Sequence, residues 1–74
     1  MDYADANKKL TSNGFDLVSK EDKISGFVCK FQRADIKIKT EVKLGGYVSF
    51  LEIKNKKSKL TFKGLEISLI LNIM

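Results

Sequence analysis

The stretch that decides the fold runs from residue 36 to residue 54 and reads IKIKTEVKLGGYVSFLEIK. In its first half, apolar side chains and Thr40 alternate with charged side chains, a pattern typical of a strand with one buried face and one wet face. Gly45 and Gly46 can adopt the positive φ angles that a two-residue hairpin turn needs. The stretch therefore predicts an antiparallel β-hairpin.

The register of this hairpin follows from keeping its inner face apolar, because a slip of one residue would turn Leu51 and Ile53 to the wet side. The predicted pairs are Leu44–Tyr47, Val42–Ser49, Thr40–Leu51 and Ile38–Ile53, with Lys39 opposite Glu52 on the outer face. The same register places Val48 and Phe50 on the outer face, where they form an apolar spot amid lysines that could accept a stacked base.

Two further strands are expected before this hairpin. Residues 27–31 also alternate, and a tight loop around Arg33 and Ala34 sets Phe31 opposite Ile36 and Cys29 opposite Ile38. Residues 15–19 are predicted to add a fourth strand, and the charged segment 20–23 an exposed turn.

A short helix is predicted from Asp2 to Asn13. Tyr3, Ala6 and Leu10 recur at helical spacing and form one narrow apolar stripe. Gly14 suits the left-handed residue that ends many helices, and Phe15 would then fold back on Leu10.

The last fifteen residues are compatible with two structures. As a helix, the segment takes Thr61 as its N-cap and turns Phe62, Leu65, Leu69 and Ile73 to one face. As a strand, its apolar residues from 65 to 73 alternate with polar ones. Length and capping favour the helix, and the apolar face of the sheet needs such a cover.

The predicted fold is therefore one α+β domain over residues 1–74. An antiparallel meander of three to four strands has an N-terminal and a C-terminal helix packed on one face, in the order α-β-β-β-β-α.

Composition argues against catalysis. The chain has 74 residues, no His and one Cys, which excludes His-based zinc sites, disulfides and His-dependent nucleophiles. Cys29 alternates inward and is expected to be a small buried side chain. The nine carboxylates show no spacing that pairs them. We expect no enzyme, no cofactor, no metal and no small-molecule substrate.

The chain shows no targeting or membrane segment. Its N-terminus is acidic and polar, unlike a signal peptide. The apolar run 65–74 includes Glu66 and is about half as long as a membrane span. We expect a cytoplasmic protein that does not contact a membrane.

The lysines offer a possible nucleic-acid surface. Fourteen Lys and Arg against nine Asp and Glu give a net charge of +5. The outer sheet face and the loop after it collect the candidate residues Lys30, Lys37, Lys39, Lys43, Phe50, Lys54, Lys56, Lys57 and Lys59. The register sets Lys30 opposite Lys37 and Lys37 opposite Lys54, which costs stability. The alternative is a solvated face that protects the sheet against aggregation.

The last helix offers a possible protein-binding surface. Its apolar arc is wide, and helices that are apolar most of the way round are buried on more than one side. The apolar residues on either side of the face that the helix would turn to the sheet would contact another protein or a second copy. They are Ile67, Ile70, Leu71 and Met74. The alternative is that the helix lies deep across a curved sheet.

Two resemblances add to these expectations. The helix–strands–helix order, with Lys56, Lys57 and Lys59 before the closing helix, resembles the double-stranded-RNA-binding domain in topology. That resemblance implies that these lysines contact RNA.

The segments 9-KLTSNGF-15 and 59-KLTF-62, with the lysine-rich meander between them, resemble small orphan proteins of phages and prophages of low-GC bacteria. Such proteins commonly act by docking on a host or phage protein. We therefore expect a non-catalytic module that docks through its apolar C-terminal helix, and alternatively a basic nucleic-acid-binding domain.

Overall fold

The computed structural model describes residues 1–73. Its elements follow one another in the order α1 (Tyr3–Ser12), β1 (Asp16–Lys23), β2 (Gly26–Arg33), β3 (Ile36–Lys43), β4 (Tyr47–Lys54), β5 (Lys59–Lys63) and α2 (Leu65–Asn72). The five strands form one antiparallel sheet in chain order. The predicted α+β class and the meander between two helices are confirmed, and the sheet has one strand more than the four predicted.

Both helices pack on the same face of the sheet. α1 contributes Ala6 and Leu10 and α2 contributes Ile67 and Leu71, and all four side chains are fully buried. They form one cluster with Phe15, Cys29, Phe31, Ile38, Val42, Val48 and Leu51. The predicted cover of one sheet face by both helices is therefore confirmed.

β3 is the central strand and shows the predicted alternation. Ile38, Thr40 and Val42 are buried beneath the helices, whereas Lys37 is exposed on the other face. The Thr40 hydroxyl donates a hydrogen bond to the Cys29 carbonyl at 3.4 Å, so this buried polar group is satisfied.

The β3–β4 hairpin keeps the predicted register away from its turn. The pairs Ile38–Ile53, Lys39–Glu52 and Thr40–Leu51 are confirmed. These pairs keep the apolar side chains of both strands on the helix-covered face, which is the constraint that predicted them.

Nearer the turn the predicted register is wrong, and Leu44 does not pair with Tyr47. The turn has three residues, 44–46, and a bulge after it brings Val42 opposite Val48. Both turn glycines have positive φ, 98° and 83°, and three-residue loops are commonly followed by such a bulge. As a result, Leu44 is exposed and Val48 is buried, the reverse of the prediction.

The β2–β3 turn lies one position later in the chain than predicted. Phe31 therefore faces Ile38 instead of Ile36, and Cys29 faces Thr40. Because each pairing shifts by two residues, every side chain keeps its predicted face.

β1 continues through the segment 20–23, which was wrongly predicted to be a turn. All of its side chains are exposed, and a bulge lies at Val18. An edge strand needs only backbone pairing on one side, and charged residues there discourage association with other sheets. The ammonium of Lys20 lies 4.5 Å from the centre of the Phe27 ring, a cation–π contact.

The segment before α2 forms β5 instead of the first turn of a helix. Thr61, the predicted N-cap, lies within β5, and Gly64 takes the N-cap position with a φ of 58°. Pairing with the edge of β4 gives this segment inter-strand hydrogen bonds that a helix start at this point would forgo.

The helix prediction is confirmed for residues 65–72, but α2 buries a different face from the one predicted. Ile67 and Leu71 are fully buried, whereas Leu65, Leu69 and Ile73 are 85%, 68% and 79% exposed. The helix starts after a strand and a left-handed glycine, and these set the direction in which its first turn faces the sheet.

α1 ends as predicted. Gly14 has a φ of 85°, and the Phe15 N–H donates to the Leu10 carbonyl at 3.0 Å. The guanidinium of Arg33 lies 4.5 Å from the centre of the Phe15 ring and donates to the Asn13 carbonyl. The end of α1 is thus tied to the β2–β3 turn.

Tyr3 links the start of α1 to the sheet. Its ring packs edge-on against Phe27 with the ring centres 5.0 Å apart, and the thiol of buried Cys29 donates to its hydroxyl at 3.3 Å. Burial, with a smaller contribution from Cys29, raises the pKa of Tyr3 from 10.0 to about 12.

Leu51→Ala tests the confirmed part of the hairpin register. Leu51 is fully buried opposite Thr40, so we expect the substitution to lower the free energy of unfolding by about 2–5 kcal/mol. Leu44→Ala is the matched control, and its effect should stay within about 0.5 kcal/mol because this side chain is 73% exposed. Urea denaturation measures both, and a similar loss for the two variants would contradict the register.

Tyr3→Phe tests the environment of the Tyr3 hydroxyl. Because the pKa of Tyr3 is higher in the folded chain, the unfolded chain loses this proton first, and stability should fall as the pH rises from about 10 to about 12. The variant should lose less stability than the natural chain over this range, while Tyr47→Phe, at an exposed position, should not. Equal pH slopes for all three proteins in urea denaturation would refute the assignment.

Candidate binding surfaces

The lysines of β2, β3 and β4 lie on the face of the sheet opposite the helices. Along each strand they alternate with residues that face the core. The set consists of Lys30, Lys37, Lys39, Lys43 and Lys54. We call the sheet face that carries them the lysine face. The prediction that these five side chains share one face is confirmed.

Lysines oppose one another across three pairs of neighbouring strands. Lys37 pairs with Lys54 as predicted, whereas Lys30 pairs with Lys39 instead of Lys37, because of the shifted β2–β3 turn. Lys54 also pairs with Lys59 on β5. Like charges directly across a ladder destabilise a sheet, so this face concentrates positive charge at some cost in stability.

Acidic side chains neutralise part of the lysine face. The ammonium of Lys59 lies 3.1 Å from the carboxylate of Glu52, and that of Lys39 lies 4.0 Å from Glu41. Within residues 1–73, Lys37 and Lys54 make no ion pair. Because they also lie directly opposite each other, they form an unbalanced pair of positive charges.

Two adjoining depressions, of about 390 Å³ and 310 Å³, lie at this end of the lysine face. Gln32, Lys37 and Lys54 line both of them. The first extends to Lys30, and the second extends to Lys56 in the β4–β5 loop. The donors available to a ligand here are ammonium groups and the side-chain amides of Gln32 and Asn55, which suit an anion. Each depression also has one carboxylate in its lining, Glu52 in the first and Asp35 in the second.

The β4–β5 loop is ordered by an asparagine. The side-chain oxygen of Asn55 accepts hydrogen bonds from the N–H groups of Lys57 and Ser58, both at 2.8 Å. The ammonium of Lys56 lies 3.8 Å from Asp35, and both side chains are largely exposed. This loop extends the positive charge of the lysine face.

β5 separates this loop from α2. Lys56 and Lys57 therefore do not lie at the start of the last helix, and Lys59 begins β5. This placement differs from the one that the resemblance to the double-stranded-RNA-binding domain implied.

Phe50 is the aromatic side chain of the lysine face. It is half-buried and lies opposite Glu41 on β3 and Lys63 on β5. Val48, predicted to lie beside it, faces the core because of the bulge in the β3–β4 hairpin. The predicted apolar spot for stacking a base is thus reduced to Phe50.

A second surface is apolar and lies where α2 meets the edge of the sheet. Its members are exposed or half-buried apolar side chains of β5, α2 and the residue after α2, namely Phe62, Leu65, Leu69, Ile70 and Ile73. We call it the α2–β5 surface. Isolated apolar side chains are common on protein surfaces, whereas a contiguous set of this kind marks an interaction site.

The α2–β5 surface contains a groove of about 320 Å³. Glu66 is the only charged residue in its lining, and the others are Phe62, Leu69, Ile70 and Ile73. The carboxylate of Glu66 accepts the Lys63 N–H at 3.3 Å. The groove therefore offers an almost uncharged contact in a chain of net charge +5.

The structure changes which residues could dock a protein. Ile67 and Leu71 were predicted to do so, but both are fully buried in the core and are unavailable. Ile70 is half-buried and lines the groove, and Met74 lies outside the described residues. Leu65, Leu69 and Ile73, which were predicted to face the sheet, form the exposed part of the surface instead.

One signal in the sequence could have identified these residues. The segment 59–63 reads KLTFK, which alternates with period two and is followed by Gly64. A strand that ends at this glycine would have moved the helix start to Leu65 and changed the face that it turns to the sheet.

In the described part of the chain, no group of three or more His, Cys, Asp or Glu side chains could hold a metal ion. No helix of residues 1–73 is long and apolar enough to cross a membrane. Comparison of the chain with protein-family models, with curated proteins and with solved structures finds no match.

Proposed function

We propose that this chain is a non-catalytic binding domain that docks on another protein chain through the α2–β5 surface. The observation that carries the proposal is the exposure of Leu65, Leu69 and Ile73 on successive turns of one helix face. Burying each of these side chains in an interface would contribute about 1.5–3 kcal/mol. The resemblance to small phage and prophage proteins, which commonly act by docking, agrees with this role.

The same residues argue against a purely structural role for the exposed face. Ile67 and Leu71 already supply the apolar contacts by which α2 packs on the sheet. Leu65 and Leu69 are exposed and lie outside the core cluster, and polar side chains at these positions would keep the helix without exposing apolar surface.

A photo-reactive amino acid at position 69 tests the proposal in cells of the organism that encodes the chain. We expect irradiation to give one adduct of defined mass, because this position lies at the centre of the α2–β5 surface. The same group at exposed Ala4, on α1, is the control and should give no such adduct.

In the chain that carries the photo-reactive amino acid at position 69, the further substitutions Leu65→Lys and Ile73→Lys should reduce the yield of the adduct at least about tenfold, because two apolar contacts of the interface are lost. Equal yields at positions 69 and 4 would refute docking through this surface.

A second candidate function is the binding of nucleic acid by the lysine face. The observation that favours it is the set of opposed lysines beside two depressions, with Lys37 and Lys54 at their centre. Lysine ammonium groups bind phosphates as point charges and do not read bases in the bidentate manner of arginine. Arg33, the one arginine, is held against Phe15. We therefore expect the lysine face to bind the phosphate backbone of a nucleic acid without distinguishing the base sequence.

Lys37→Gln combined with Lys54→Gln tests this second function. We expect the pair to weaken binding of short oligonucleotides, and to reduce the slope of log K against log salt by about 2, because two phosphate contacts are lost. Fluorescence anisotropy at several salt concentrations measures both quantities. Lys8→Gln combined with Lys9→Gln, on α1, removes the same charge elsewhere, and equal effects of the two pairs would contradict a specific role for the lysine face.

A further inference from the structure

The two edges of the sheet differ in how they are protected. β1 carries a bulge at Val18 and the charged segment 20–23, and both features discourage pairing with another strand. β5 pairs with β4 without a bulge and carries Leu60 and Phe62 on its helix side. It pairs with no further strand in the described chain. β5 is short and carries a lysine at each end, but its middle residues 60–62 are uncharged, so the β5 edge is more open to pairing than the β1 edge.

This open edge coincides with the α2–β5 surface. Phe62 belongs to both, and Leu60, 56% exposed, lies beside it on the same side of β5. A strand placed along β5 would make backbone hydrogen bonds and would also lie next to the apolar groove. An edge that offers backbone pairing beside an apolar groove is typical of recognition by strand addition.

The distribution of charge favours a second copy of the chain. The opposed lysines lie on the other face of the sheet, so two copies can bring their α2 helices together without placing the lysine faces against each other. Glu66 is the only charged residue that lines the groove. The lysine face is cationic, whereas the α2–β5 surface offers an almost uncharged contact to a chain of charge +5.

A second copy also covers more of this surface than an extended peptide does. A peptide added to β5 would contact Phe62 but would not fill the groove beside α2, which Ile70 and Ile73 also line. A second copy brings its own α2 beside the first, on the same side of the joined sheet, so the two apolar grooves face each other. Such a self-complementary contact is the commonest kind in homodimers.

We infer that two copies of this chain pair along their β5 edges as antiparallel strands about a twofold axis, with the α2–β5 surfaces in contact. The pairing would join two five-stranded sheets into one sheet of ten strands. This inference rests on the proposed docking function and names its partner as a second copy.

Charge selects the register of the pairing. With the axis at Thr61, Lys59 would lie opposite Lys63 of the other copy, and like charges directly opposite are unfavourable. With the axis at Phe62, the two Phe62 side chains meet and Lys63 lies opposite Thr61. We assign the axis to Phe62.

Sedimentation equilibrium over a range of concentrations tests the inference, with two pairs of matched variants. Leu69→Lys and Leu60→Lys each place a charge in the contact and should raise the dimer dissociation constant at least about tenfold. Leu44→Lys, at a similar exposure of 73% against 68%, and Leu17→Lys, on the helix side of the β1 edge, are the controls and should change it less than about threefold. Circular dichroism verifies that all four variants are folded.

Phe62→Cys tests the register under mild oxidation. With the axis at Phe62, the two new thiols lie opposite each other and should form a disulfide-linked dimer, whereas Thr61→Cys should not. Cys29 is buried and does not compete. Linkage through Thr61→Cys alone would overturn the assigned register, and dimerisation that survives Leu60→Lys unchanged would overturn the strand pairing.

A chain that stays monomeric at every concentration would overturn the inference. The photo-adduct at position 69 then separates the two proposals. An adduct with a different protein would leave the docking function standing without self-association, and the absence of an adduct would refute both.

Discussion

The burial of one face of β3 is the constraint on which the rest of this structure depends. β3 is the central strand, and Ile38, Thr40 and Val42 reach the core from it. A strand with neighbours on both sides cannot turn its apolar side chains to water without exposing the whole sheet face. Both helices therefore pack on that face, and the lysines between these residues are left on the other.

What could be predicted from the sequence is what this alternation determines. Local patterns predicted the faces of β2 and β3, the pairs of the β3–β4 hairpin away from its turn, and the end of α1 at Gly14. All of these predictions are confirmed. The lysine face was predictable for the same reason. Its members follow from the alternation of side chains between the two faces of a strand, and a pairing error of two residues at the β2–β3 turn leaves every side chain on the same face.

Features that depend on one inserted residue could not be predicted, and features that depend on tertiary competition left only a weak signal in the sequence, the alternation of residues 59–63. The bulge after the β3–β4 turn reverses the positions of Leu44 and Val48, and periodicity gives no sign of it. β5 exists because β4 offers a free edge, which is a property of the folded sheet. The α2–β5 surface was misassigned for that reason, since the start of β5 and α2 decides which face of the helix is buried.

The two candidate surfaces occupy opposite sides of one thin sheet. The side chains of Ile38 and Lys39 are adjacent in sequence but belong to an apolar layer and a cationic layer. This separation allows a chain of net charge +5 to carry both an apolar contact surface and a cationic surface, because the two do not touch. If two sheets join at β5 about an axis perpendicular to them, both lysine faces lie on the same side and form one longer cationic surface.

The contact between α1 and α2 has a consequence for biosynthesis. α1 precedes the five strands and α2 follows them, yet the two helices touch each other and share one core. Each hairpin can form soon after its strands leave the ribosome, because its contacts are local. The core cannot close until Ile67 and Leu71 emerge, so the nascent meander exposes apolar side chains to solvent until α2 has been synthesised.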